Sequence, residues 1–151
     1  RILVYGEFVK TLRNLNYGII LTIWGCLMSL GLYGIISDTT SGPRHPITAI
    51  CVFFLIALPY LILAASVYLI DRCAPVELNK LWPMSVILLG TIIISTAGFY
   101  YPYKISRIPD AQNGIIFGCI WMLQCVGAVG TLVLSHIIVV INIAIRMLAK
   151  S

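Results

Sequence analysis

Residues 113–145 read NGIIFGCIWMLQCVGAVGTLVLSHIIVVINIAI. The stretch contains no charged side chain and stays apolar for far longer than about 20 residues, so it is expected to be a helix that crosses a membrane. At 1.5 Å per residue the helix is about 50 Å long, against a hydrocarbon core of roughly 30 Å. It must therefore tilt, kink or project beyond the bilayer. Arg146 marks a charged interface, which puts the excess near Asn113. The polar atoms of the stretch are ordered. Gln124, Ala128, Thr131, Ser135 and Asn142 recur at helical spacing and, at about 100° per residue, share one narrow stripe. Gly114 and Gly118 form a GxxxG pair on a neighbouring face. Such a helix presents one edge to protein and the other to lipid.

The rest of the chain agrees with this reading. Of 151 residues, 60% are hydrophobic and 10% are charged, with mean hydropathy +1.02. A soluble domain carries about 25% charge and has no means of hiding so much apolar surface. A β-barrel would show short alternating segments, whereas here the apolar runs are continuous. Three more of them cover residues 17–36, 47–70 and 82–100. The expected architecture is a single all-α integral membrane domain. It is an antiparallel bundle of four transmembrane helices joined by short loops, with an amphipathic interfacial helix at its N-terminal end.

That N-terminal helix is read from residues 1–16, where Tyr5, Phe8, Leu12 and Leu15 fall at helical spacing among Arg1, Glu7, Lys10 and Arg13. A direct extension of the first span is the alternative. The connecting loops are expected at 37–46, 71–81 and 101–112, all rich in proline, glycine or charge. Pro59 falls in the middle of the second span, where it removes a backbone hydrogen bond and kinks the helix.

The net charge of +5 does not point to nucleic acid, because Lys and Arg lie at the ends of the apolar runs. Seven cationic residues (Arg1, Lys10, Arg13, Arg72, Lys80, Arg146, Lys150) fall on one side of the expected topology and three (Arg44, Lys104, Arg107) on the other. The bias places both termini on the cytoplasmic side, or on the matrix side of a mitochondrial membrane. Membrane lipids are then the first partner.

Catalytic chemistry finds little support. The five acids, Glu7, Asp38, Asp71, Glu77 and Asp110, lie in flanks and loops, whereas an ion path usually carries a charge within the membrane. His136 is alone in a span, so the chain cannot supply a bis-histidine haem site by itself. Its expected role is a hydrogen bond to a neighbouring helix near Ser135. These two residues point about 100° apart on a helix and are not poised as nucleophile and base. His45 is read as a solvated loop residue. The five cysteines show neither zinc spacing nor an outer-loop disulfide pattern. Cys73, juxtamembrane, is a candidate for S-palmitoylation. No enzyme activity, cofactor or metal is expected.

What remains is packing chemistry. Gly18, Thr22, Gly25 and Ser29 share a face of the first span, and Thr91, Ser95 and Gly98 share a face of the third. Small residues let helix backbones approach closely, and in lipid that packing replaces the hydrophobic effect as the driving force. In span count and loop length the layout resembles that of MARVEL-type and other small four-span membrane proteins. The expected function is a non-enzymatic scaffold or accessory subunit of a larger membrane assembly. Gly18, Gly25, Ser29, Gly114, Gly118, Gln124, Thr131, Ser135, His136 and Asn142 are the candidate contact residues toward another integral membrane protein or a second copy. The alternatives are a channel or transporter subunit with a path lined by the fourth span, and an anchor subunit of a respiratory or redox complex.

Overall fold

The computed structural model describes residues 2–37, 46–74, 77–105 and 113–149, with side chains over 4–29, 54, 56–74, 79–99 and 119–149. The described chain is helical: α1 (Ile2–Ser37), α2 (Pro46–Cys73), α3 (Glu77–Ile105) and α4 (Asn113–Leu148). Within these residues, three helices carry stretches long and apolar enough to cross a membrane: Ile56–Cys73, Asn79–Phe99 and Cys119–Leu148. The chain is a membrane protein by this measure.

α2 and α3 form the central pair. α1 packs against both of them, α4 packs against both of them, and among the described residues α1 and α4 do not meet. The buried side chains explain the arrangement. Tyr60, Leu63, Val67 and Ile70 follow each other along α2 at spacings of three and four, as do Met84, Ile87, Thr91 and Ile94 along α3. This spacing keeps one row of side chains on a single helix face. Val9, Leu12 and Ile20 of α1 close the core on one side, and Ala128 and Val139 of α4 close it on the other.

Three boundaries differ from the sequence expectation. The chain does not break between an interfacial helix and a first span. α1 is continuous over 36 residues, as the extension alternative required. The residue at the expected boundary, Asn16, is fully buried, and its Nδ2 donates to the carbonyls of Leu12 at 2.9 Å and Met84 at 3.2 Å. A buried amide that bonds its own helix and its neighbour holds the chain helical there. The second connection is also shorter than 71–81. Asp71, Arg72 and Cys73 complete α2, whose end is closed by the Ala74 N–H donating to the Ile70 carbonyl at 3.0 Å. Pro75 follows and cannot continue the ladder. α3 has begun by Glu77, so Asn79 and Lys80 are buried helix residues rather than loop. α3 also runs on to Ile105, through the start of the expected third loop. The first loop with His45, and residues 106–112, lie outside the described residues.

α4 is the least enclosed of the apolar helices. Only 17% of its apolar stretch is buried, against 39% for those of α2 and α3. Met122, Leu123, Val126, Val133, Val140 and Ile141 are exposed along it. They form an exposed apolar edge along α4.

Candidate functional site

Three places concentrate polar and small residues. The first is the seam between α3 and α4. Gly98 faces Gln124, Ile94 faces Gly127, and Gly90 faces Thr131. The pairs descend one helix as they ascend the other. The fit is close. A Cβ at Gly90 would lie 2.6 Å from the Thr131 hydroxyl oxygen and 2.7 Å from its methyl carbon, and one at Gly98 would overlap the Gln124 amide nitrogen. Gln124 Nε2 donates across the seam to the Ile94 carbonyl at 3.0 Å. Thr131 and Ser135 donate instead to carbonyls of their own helix, those of Gly127 and Leu132, each at 2.8 Å. This back-bonding lets a hydroxyl sit in an apolar seam with its donor satisfied. Ala128 and Ser135 are fully buried. The polar stripe of α4 is therefore turned into the chain's own bundle.

Tyr60 of α2 enters the same layer. It is 2% exposed, and its hydroxyl approaches Ser95 and Gln124 without reaching hydrogen-bond geometry. Ser95 donates to the Thr91 carbonyl at 2.6 Å, and Thr91 to that of Ile87 at 2.8 Å.

The second place is the small-residue face of α1. Gly18, Thr22 and Ser29 are exposed and Gly25 is half-buried. A Cβ added at Gly18 or Gly25 would meet nothing within 4 Å. The Thr22 and Ser29 hydroxyls donate to the carbonyls of Gly18 and Gly25, at 2.7 and 2.8 Å. At about 100° per residue this face lies opposite Val9, Asn16 and Ile20, which pack into the bundle.

The third is a charged corner where α1, α2 and α3 meet. Arg13 NH1 donates to Asp71 Oδ2 at 2.9 Å, and Lys80 Nζ donates to Asp71 Oδ1 at 3.1 Å. One carboxylate thus ties three helices. The Arg72 guanidinium lies 5.6 Å from the centre of the Tyr68 ring, a cation–π distance. Beside the corner, Gly6, Glu7, Val9, Lys10, Arg13 and Asp71 line a cavity of about 330 Å³.

The expected contact residues therefore separate into groups. Gln124, Thr131 and Ser135 come together inside the bundle, while Gly18, Gly25 and Ser29 stay on the outside. Asn142 is half-buried further along α4. Among the described residues His136 bonds no neighbouring helix. Its Nδ1 meets the Leu132 carbonyl of its own helix at 2.8 Å, which requires that nitrogen to carry the proton. The surroundings of Gly114 and Gly118 lie outside the described residues. Cys73 is exposed at the end of α2. Sequence reasoning missed Gly90, Tyr60 and the Arg13–Asp71–Lys80 corner. Gly90 had a signal, since it stands eight residues before Gly98 and so shares its face. The corner had none, because Arg13 lies 58 residues from Asp71 and the expected 71–81 loop gave Asp71 and Lys80 no fixed geometry.

Comparison with known protein families, with curated proteins and with solved structures finds no match.

Proposed function

We propose that the chain is a four-span antiparallel bundle that acts as a non-enzymatic scaffold or accessory subunit, and that it engages a helix of another membrane protein, or of a second copy, through α1. Both termini lie on the cytoplasmic or matrix side in this reading, following the distribution of Lys and Arg. The first turns of α1 then continue past the membrane surface. One observation carries the proposal: the Gly18–Thr22–Gly25–Ser29 face is built for close helix approach, and among the described residues nothing lies within 4 Å of a Cβ placed at Gly18 or Gly25. Single glycines in a membrane helix are unremarkable. Four small residues at 4-3-4 spacing, with both hydroxyls turned back on their own helix, form a smooth groove for a neighbouring backbone. The stripe of α4 is less suited to the role because its residues are engaged within the bundle.

The test is cross-linking in native membranes with a photoreactive side chain at position 22. The proposal expects a discrete adduct that disappears in the Gly18→Leu/Gly25→Leu variant. Adduct formation only with lipid would count against it.

A further inference from the structure

The cavity beside the charged corner plays no part in the partner reading. Its acids and its cations differ in how they are engaged. Asp71 is held at both oxygens, Oδ2 by Arg13 at 2.9 Å and Oδ1 by Lys80 at 3.1 Å. One carboxylate thus meets two cations, and the corner is cation-rich. Arg13 gives Asp71 one bond from NH1. A guanidinium has five N–H donors in a fixed fork, so donors remain for a ligand. Lys10 also lines the cavity, is exposed and, among the described residues, makes no ion pair. Lys10 and Arg13 stand three residues apart and therefore share a face of α1.

The same residues decide the sign of the ligand. A cation would need free carboxylates, and Asp71 has both oxygens engaged. Among the described residues no three His, Cys, Asp or Glu side chains are grouped to hold a metal ion. An anion meets the remaining Arg13 donors and the Lys10 ammonium. A guanidinium fork beside an ammonium point charge suits a phosphate. Glu7, also in the lining, is exposed. Its charge opposes an anion, but water and salt screen it. The cavity of about 330 Å³ has room for a phosphate together with the group that carries it. Gly6 leaves that space open, since a Cβ there would meet nothing within 4 Å.

We infer that this cavity binds a phosphate monoester, with its oxygens on the Lys10 ammonium and on the Arg13 donors that Asp71 does not take. A monoester carries about −1.5 to −2 charge at neutral pH and three terminal oxygens, so each cation can take an oxygen of its own. A phosphodiester has less charge and fewer free oxygens. The monoester group is common to a membrane lipid, such as phosphatidic acid, and to a soluble ester, such as glycerol 3-phosphate. The site is independent of any protein partner at α1.

The full chain is reconstituted in phosphatidylcholine nanodiscs and offered both probes. Phosphatidic acid, mixed with an equal amount of phosphatidylglycerol, is counted by native mass spectrometry. Glycerol 3-phosphate is titrated by calorimetry into discs of phosphatidylcholine alone. Saturable binding of one probe is expected, with phosphatidic acid retained over phosphatidylglycerol if the source is lipid and a calorimetric isotherm if it is soluble. Lys10→Gln should weaken that binding about tenfold, or roughly 1.4 kcal/mol. Gly6→Leu fills the cavity without changing charge and should weaken it at least as much. Lys10→Gln, at an exposed residue, carries the test where Gly6→Leu does not fold. Glu7→Gln removes the opposing charge and should strengthen binding about threefold. Arg146→Gln removes a cation in the last turn of α4, outside the cavity, and should change nothing. No saturable binding of either probe, or equal retention of phosphatidylglycerol without a calorimetric isotherm, would overturn the inference. So would unchanged binding in Lys10→Gln or in a folded Gly6→Leu variant, weaker binding in Glu7→Gln, or a loss in Arg146→Gln equal to that in Lys10→Gln.

Discussion

Two helix faces of this protein are made of the same residue types and have opposite surroundings. On α3, Gly90 and Gly98 are filled by Thr131 and Gln124 of α4, so closely that even a methyl group would collide. On α1, Gly18 and Gly25 face open space. A stripe of small residues permits close approach, but it does not choose the neighbour. The choice is made by the opposite face of each helix. α1 is locked in rotation by Val9, Leu12 and Ile20 in the core, by Asn16 bonded to Met84 and by Arg13 bonded to Asp71. With those anchors inward, the small face points out.

The contrast makes graded predictions, measured as unfolding free energy in mixed micelles. The largest effect belongs to Gly90→Val. Thr131 is β-branched with few rotamers and has its hydroxyl engaged, so it cannot withdraw, and overpacking should cost about 2–3 kcal/mol. Asp71→Ala should follow, at about 1–2 kcal/mol. It releases Arg13 and leaves the buried Lys80 without this carboxylate, and partial exposure keeps the loss below that of a fully buried pair. Gly98→Ala should cost less, about 1 kcal/mol, because the long Gln124 side chain can swing aside and forfeits mainly its bond to Ile94. Gly18→Ala and Gly25→Ala should change stability by under about 0.5 kcal/mol. A ranking in which the α1 glycines matter as much as Gly90 would erase the contrast.

Much of this fold was legible in the sequence. Long uncharged runs leave the backbone no option but helix in a membrane, so the three apolar stretches of α2, α3 and α4 could be placed from composition alone. The α4 stripe was legible as a stripe for the same reason, since 100° per residue is fixed by geometry. Its partner was not. Periodicity says which residues share a face and nothing about what lies opposite, so for Gln124 and Thr131 glue within the bundle is the first reading, with a docking face or a path still open beside it. The boundaries at residue 16 and at 71–81 were misread because charges and amides there looked solvent-facing. Asn16 is buried against Met84 of α3 and Lys80 beside Asp71 of α2, and no local window of sequence contains those neighbours.

The central proposal is that the α1 face, open among the described residues, is occupied by a helix from outside the chain. Gly18→Leu/Gly25→Leu tests it most directly, with melting temperature and the position-22 adduct measured on the same preparation. The account predicts an unchanged melting temperature and a lost adduct. A lowered melting temperature would show that the face is filled by the chain's own helices, and an intact adduct at an unchanged melting temperature would show that the partner docks elsewhere.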